Sequence, residues 1–195
     1  MGKLPKGGKA RARASAKLNR IKGQKSIVWK NKLVNNILKW DAPELGRLCS
    51  PVEKTDDLSF IKTLRSTLLA TKNGLGLAAS QIGILKNVFV YRKKVADISV
   101  VLVMINPIIV KSGKTTATAH EGCLSFPGFV AQIERPTSIT INWKDENWND
   151  NSETFGGLLA IVVSHEIDHF YGRLIWNKNI ENSKDKKEEN AIQHE

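Results

Sequence analysis

His165 and His169 stand four positions apart with Glu166 between them, in the run His165-Glu166-Ile167-Asp168-His169. On an α-helix, positions i and i+4 share one face, so both imidazoles can reach a single metal ion. Glu166 then sits where a carboxylate can take a proton from a metal-bound water. The same letters also fit two histidines on an ordinary helix surface, and two imidazoles leave a metal incomplete. A catalytic zinc-type site takes three protein ligands and keeps a fourth position open. Cys123, in Glu121-Gly122-Cys123-Leu124-Ser125, is a candidate third ligand, because a thiolate binds borderline-soft divalent metals strongly. Taken alone, Cys123 reads more simply as a buried apolar thiol.

These residues need elements to hold them. The apolar run Leu158 to Val163, free of Gly and Pro, leads into the histidine motif and would bury its helix, expected over about Phe155–Tyr171 and closed by Gly172. A second helix is expected where Leu58, Ile61, Leu64, Leu68 and Leu69 recur, capped by Asp56 or Asp57 and stopped at Asn73-Gly74. Between them lie runs rich in β-branched and aromatic residues: Val88 to Tyr91, Val100 to Ile105, Phe129 to Ile133 and Ile139 to Trp143. Asp145 to Ser152 reads as a hairpin turn, Asp41 to Pro51 as a loop, and Ile27 to Trp40 as a short amphipathic helix or strand. The expected fold class is α+β, with mostly antiparallel β-sheets packed around a central buried helix that carries the histidine motif.

Charge divides the chain of 195 residues unevenly. Residues 1–40 hold nine Lys and three Arg with no acid, whereas the remainder holds 18 basic residues against 19 acidic ones. The expected organisation is a basic, disordered extension over 1–40, a catalytic domain over 41–178 and a polar tail over 179–195. The extension fits an arm that contacts nucleic acid or the ribosome, an organelle transit peptide, or a solubilising segment. Two cysteines, Cys49 and Cys123, are too few for a disulfide framework, and no apolar run reaches the roughly 18 residues of a membrane span. The expected setting is therefore intracellular and cytoplasmic, away from membranes, with organelle targeting by the extension as the alternative.

Three segments occur in order: Gly74-Leu75-Gly76-Leu77-Ala78-Ala79-Ser80-Gln81-Ile82-Gly83, Glu121-Gly122-Cys123-Leu124-Ser125 and His165-Glu166-Ile167-Asp168-His169. Together they closely resemble the signature motifs of the peptide deformylases. Met104-Ile105-Asn106-Pro107 and Glu134-Arg135-Pro136 extend the resemblance, which spans roughly Leu45 to Trp176. It implies that Cys123, His165 and His169 bind the metal and that Glu166 is the acid/base. It also implies that the Gln81 side-chain amide and the Leu124 backbone N–H stabilise an oxyanion. Gly76 would let its loop approach the substrate backbone, while Leu75, Ile161 and Val162 would line the pocket for the substrate's first side chain. The implied reaction is attack of a metal-bound hydroxide on the formyl carbon of N-formylmethionyl nascent peptides, releasing formate. The implied ion is Fe2+, with Zn2+, Ni2+ or Co2+ as substitutes, and a monomer is expected; contact with the ribosome or RNA through residues 1–40 is an expectation from their charge, beside the two other readings of that extension. Ser164 stands where the family usually has Gln, and Leu159-Ala160-Ile161 where several members carry Ala-Arg, but the ligand positions are intact.

Two rival readings are weaker. A metallopeptidase of the H-E-x-x-H-x-x-G-x-x-H kind fits as far as Gly172, but Ile175 holds the place of the last His. Its third ligand would have to come from Glu181, Glu188, Glu189 or His194 in the polar tail. A nucleic-acid-binding protein accounts for residues 1–40 and leaves the three motifs unexplained. Gly74-x-Gly76-x-x-Ala79 also matches a loose dinucleotide fingerprint, which requires a preceding strand where this pattern is helical.

Overall fold

Alternation of side chains along the central strands decides the architecture. In the computed structural model, which describes residues 36–95 and 98–177, Val88 and Val90 face one side of a sheet and Phe89 and Tyr91 the other. Five strands form this sheet: β1 (Gly76–Ala78), β2 (Val88–Val95), β3 (Ile98–Ser112), β6 (Ser138–Lys144) and β7 (Asp150–Gly156). They run in the order β1-β2-β3-β6-β7 with every neighbour antiparallel. Helix α1 (Phe60–Ala70) covers one face, packing Ile61, Leu64 and Leu68 against Leu77, Val88, Val90, Val103 and Ile105. Helix α2 (Gly157–Phe170) covers the other, packing Ala160, Val163, Ile167 and Phe170 against Phe89, Tyr91, Met104, Ile139, Ile141 and Phe155. A separate hairpin, β4 (Thr116–Cys123) with β5 (Phe126–Pro136), closes over the far side of α2.

Every residue of α2 from Val162 to Phe170 is buried, because sheet and hairpin flank it. The α+β expectation holds, and the motif does lie on the central helix. At its start the helix differs from expectation: Leu158 is 61% exposed and Ile161 is half-buried, so part of the apolar run faces a cleft rather than the core. The helix begins at Gly157, since β7 carries the chain as far as Gly156. It ends where Gly172 takes φ +64; a Cβ there would fall 2.7 Å from the Gly46 carbonyl carbon.

Three strands escape the sequence patterns for identifiable reasons. β1 has only three residues inside a Gly-rich segment, and β4 is short of large apolar side chains. β7 is an edge strand in which only Phe155 is buried, so its polar letters read as turn; the turn itself ends at Asn149. Helix α1 starts at Phe60, after Ser59 has bonded to Asp57 through both its N–H and its hydroxyl (2.8 Å each). Of the helix or strand expected over 27–40, residues 27–35 lie outside the described residues, and 36–39 carry no regular structure. Of the disordered extension expected over 1–40, residues 1–35 lie outside the described residues, as does the whole polar tail expected over 179–195.

Candidate active site

The β4–β5 register slips between Gly122 and Cys123, where the hairpin turns, and this irregularity aims Cys123 at the buried face of α2. Its Sγ lies 3.5 Å from His169 Nε2, and the His165 and His169 ring centroids are 5.1 Å apart. Ligand atoms of Cys123, His165 and His169 all fall within 4.8 Å of one another. A thiolate and two imidazoles converging from two elements is a donor set that suits one borderline-soft divalent ion with an open position. Ile175, the position a metallopeptidase would need as His, is buried core instead.

The candidate ligands are held from behind by a ladder of charges. His165 Nδ1 bonds Glu121 Oε2 at 2.9 Å, which leaves Nε2 for a metal. Arg135 donates to both Glu121 oxygens at 2.6 and 2.8 Å, and to Asp168 Oδ2 at 2.5 Å. Burial opposes charge on Glu121, but the bonds from Arg135 and His165 outweigh it and hold the carboxyl at about 2. Burial likewise opposes charge on His165, yet Cys123 and Glu121 raise it to about 10, so its surroundings favour a positive centre beside the ring. A metal cation meets the same demand. His169 is pulled well down by burial and by the nearby His165 and Arg135 charges, which keeps it the neutral imidazole that ligation needs.

Glu166 projects into the cleft between these ligands and β1. Burial pushes its carboxyl up to about 7, and its Oε2 has no protein partner. Gly76 makes room for it: a Cβ at that position would lie 2.7 Å from Glu166 Cδ and 2.8 Å from Cγ. The glycine expected to admit the substrate backbone is therefore required first by the carboxylate.

Gln81 has one orientation of its amide. Its Oε1 accepts the Ala78 N–H at 2.9 Å, so its Nε2 must face the hairpin, where it donates to Ser125 Oγ at 3.0 Å and approaches Cys123 Sγ at 3.5 Å. Leu124 follows Cys123 in the same turn and lines the cleft. The cleft, about 500 Å³, is also walled by Leu75, Gly76, Leu158, Ile161 and Val162, so the structure brings every expected site residue to one place.

Several residues at this site were not singled out by sequence. Glu121 and Arg135 sit inside the quoted motifs, and their burial as a charged pair is the signal a sequence cannot display. Asp168 occupies a variable letter of H-E-x-x-H. Residues 38–40 fall within the extension expected from charge, yet Leu38 N–H bonds Gln81 O at 2.8 Å and Trp40 N–H bonds Ser125 O at 3.0 Å. Lys39 Nζ reaches Leu124 O at 3.4 Å. The compact region thus begins before residue 41. Two main-chain bonds strap together the turns carrying Gln81 and Leu124. Removing residues 1–35 should leave kcat near that of the full chain. Removing 1–40 should lower it by about 10-fold or more, since small displacements of positioned groups are costly. Steady-state kinetics on both truncations, normalised to folded protein, would reject the strap if the two were equal.

A family model described as polypeptide deformylase matches residues 34–186. The chain belongs to this family. A peptide deformylase of Rhizobium meliloti (strain 1021) is 38% identical over 136 residues, covering 68% of this chain and 77% of the relative. Peptide deformylase 2 of Vibrio parahaemolyticus is 41% identical over 136 residues, covering 66% and 77%. Among solved structures, the Met-Ala-Ser-bound class I type b peptide deformylase from Acinetobacter baumannii superposes with a TM-score of 0.67 at 26% identity, over 74% of this chain and 98% of that one. The antiparallel sheets and the buried motif helix are thus the deformylase fold.

Proposed function

We propose that Cys123, His165 and His169 hold a divalent metal, and that Glu166, Gln81 and Leu124 carry out the reaction at it. As a member of the deformylase family, this chain removes the N-formyl group from N-formylmethionyl peptides of nascent proteins and releases formate. The observation that carries the residue roles is the convergence of a cysteine sulfur, two imidazoles, a partnerless carboxylate oxygen and an oriented amide at one cleft. Bound in this tripod, a divalent ion would supply Lewis acidity and acidify a water near neutral pH. Glu166, buried in the cleft with one oxygen unpartnered, is placed both to accept a proton from an attacking water and to return it to the departing amine nitrogen. Gln81 Nε2–H and the Leu124 N–H donate to the oxygen of the former formyl carbonyl as negative charge develops there. Leu75, Ile161 and Val162 offer an apolar wall for the methionine side chain. Gln81 and Leu124 line the same cleft as Glu166, and the formyl group, the smallest acyl group, is the one such a closely lined site admits most readily.

For the ion we propose Fe2+, with Ni2+ or Co2+ as active substitutes and Zn2+ as a stable, slower one, on the resemblance to the deformylase motifs; the Cys123, His165 and His169 donor set suits each of these ions. We also propose that the protein is a cytoplasmic monomer whose basic residues 1–40 contact ribosomal or other RNA, on the grounds of their twelve cations and missing acids. Gel-shift titration against RNA over a salt series tests that contact, which should weaken steeply as salt rises.

Gln81→Leu is expected to reduce kcat on formyl-Met-Ala-Ser by about 10²–10³-fold with metal content and melting temperature little changed, the usual cost of one oxyanion donor. A variant with intact kcat and a raised KM would move Gln81 from transition-state stabilisation to substrate binding.

A further inference from the structure

Between α1 and β1 the chain runs through Thr71 to Leu75 without regular structure, yet Leu75, Gly74 and Asn73 form one wall of the cleft. What holds this wall comes from β2. Arg92 N–H bonds the Leu75 carbonyl at 2.7 Å, and its guanidinium donates to Gly74 O at 2.8 Å, Leu68 O at 2.9 Å and Thr71 O at 3.1 Å. Leu68 O lies in the last turn of α1, where carbonyls lack helical partners and the helix carries partial negative charge. No basic residue of α1 itself occupies that turn, so the cation is supplied across the fold. One planar fork therefore ties a helix end, a turn and a cleft loop together. Such geometry suits Arg, since a Lys ammonium is a point donor. Arg92 does not itself line the cleft.

We propose that Arg92 is the positioning residue that sets the Asn73–Gly76 wall, and through Leu75 the preference for an apolar first side chain such as methionine. This rests on the deformylase reading above. The groups proposed to act on the reacting carbon are anchored elsewhere: Gln81 by Ala78 and Ser125, and Leu124 in the β4–β5 turn. Loosening the wall should therefore weaken ground and transition states alike, a uniform loss that appears in KM.

Arg92→Met keeps the length of the side chain and removes its donors. On formyl-Met-Ala-Ser it is expected to raise KM by about 10-fold with kcat within about 3-fold, the pattern of lost uniform binding. The preference in kcat/KM for formyl-Met-Ala-Ser over formyl-Ala-Ala-Ser should shrink by a similar factor. Arg92→Lys, able to reach some of the three carbonyls, should fall between Met and wild type. If Arg92→Met does not fold, the Lys variant carries the test, through the same two ratios measured beside melting temperature. A lowered melting temperature with unchanged KM and unchanged preference would overturn the proposal, as would a loss confined to kcat. Failure of the wild-type protein to deformylate either peptide would instead strike at the deformylase reading itself.

Discussion

Glu166→Ala is expected to retain a full complement of metal and lose about 10²–10⁴-fold in kcat on formyl-Met-Ala-Ser, the span assigned to a positioned acid/base. The three ligand side chains are untouched by the change, and Glu166 lies on the cleft side of the cluster with one oxygen unpartnered. Glu166→Gln should behave similarly, because an amide of the same shape cannot shuttle a proton. Packing should also be little disturbed: Gly76, which approaches the carboxylate closely, only gains space when the side chain is shortened. The check is single-turnover and steady-state kinetics alongside metal analysis of the same preparation. An alanine variant that kept more than a few per cent of wild-type kcat with metal bound would remove Glu166 from the proton-transfer role.

Cys123→Ser is expected to strip the site. A hydroxyl replaces the one soft, anionic donor of the set, and the two imidazoles left behind are neutral ligands that hold a divalent ion poorly. Metal content after dialysis should fall toward zero, and far-ultraviolet circular dichroism should stay native-like, since the hairpin keeps its own core of Phe126, Ala131 and Ile133 against Ile175. Cys49→Ser is the matched control. Cys49 packs beside the α2 core, its N–H bonds Phe170 O at 2.8 Å, and its thiol is pushed up by burial, away from the thiolate a ligand requires. It should leave metal content and rate near normal. The thiolate also predicts oxygen sensitivity: anaerobic iron-loaded protein should be most active and decay in air, while nickel or cobalt protein persists, because either the ion or the sulfur can be oxidised. Loss of metal from Cys49→Ser with retention in Cys123→Ser would overturn the ligand assignment.

Chemistry-bearing letters were the most legible part of this chain. His165, Glu166 and His169 announce themselves because helical spacing alone puts two ligands on one face, whatever surrounds the helix. Cys123, Gln81, Leu124 and Gly76 became readable only as parts of ordered motifs, since a lone Cys or Gln has many commoner uses. The long apolar elements were also legible, because Val88–Tyr91 and Val100–Ile105 carry enough β-branched residues to announce a strand in any setting.

The partnerships between distant segments were decided only in three dimensions. Glu121 and Arg135 are 14 residues apart and Arg135 and Asp168 are 33 apart, yet burial makes them one charge ladder behind His165. Leu38 and Trp40 look like the end of a basic extension until their N–H groups meet Gln81 and Ser125 carbonyls. Arg92 looks like one cation in an Arg-Lys-Lys run until its fork closes on three carbonyls. Side-chain type and local spacing follow from the covalent chain and its helical or strand repeat, so the sequence by itself determined the fold class and pointed to the Cys123, His165 and His169 cluster with Glu166 beside it. Which buried charges neutralise one another, and which carbonyls receive which donors, depends on how sheet, hairpin and helix close together. No local pattern encodes that closure, because its driving force is the burial of the whole core rather than any one of these contacts.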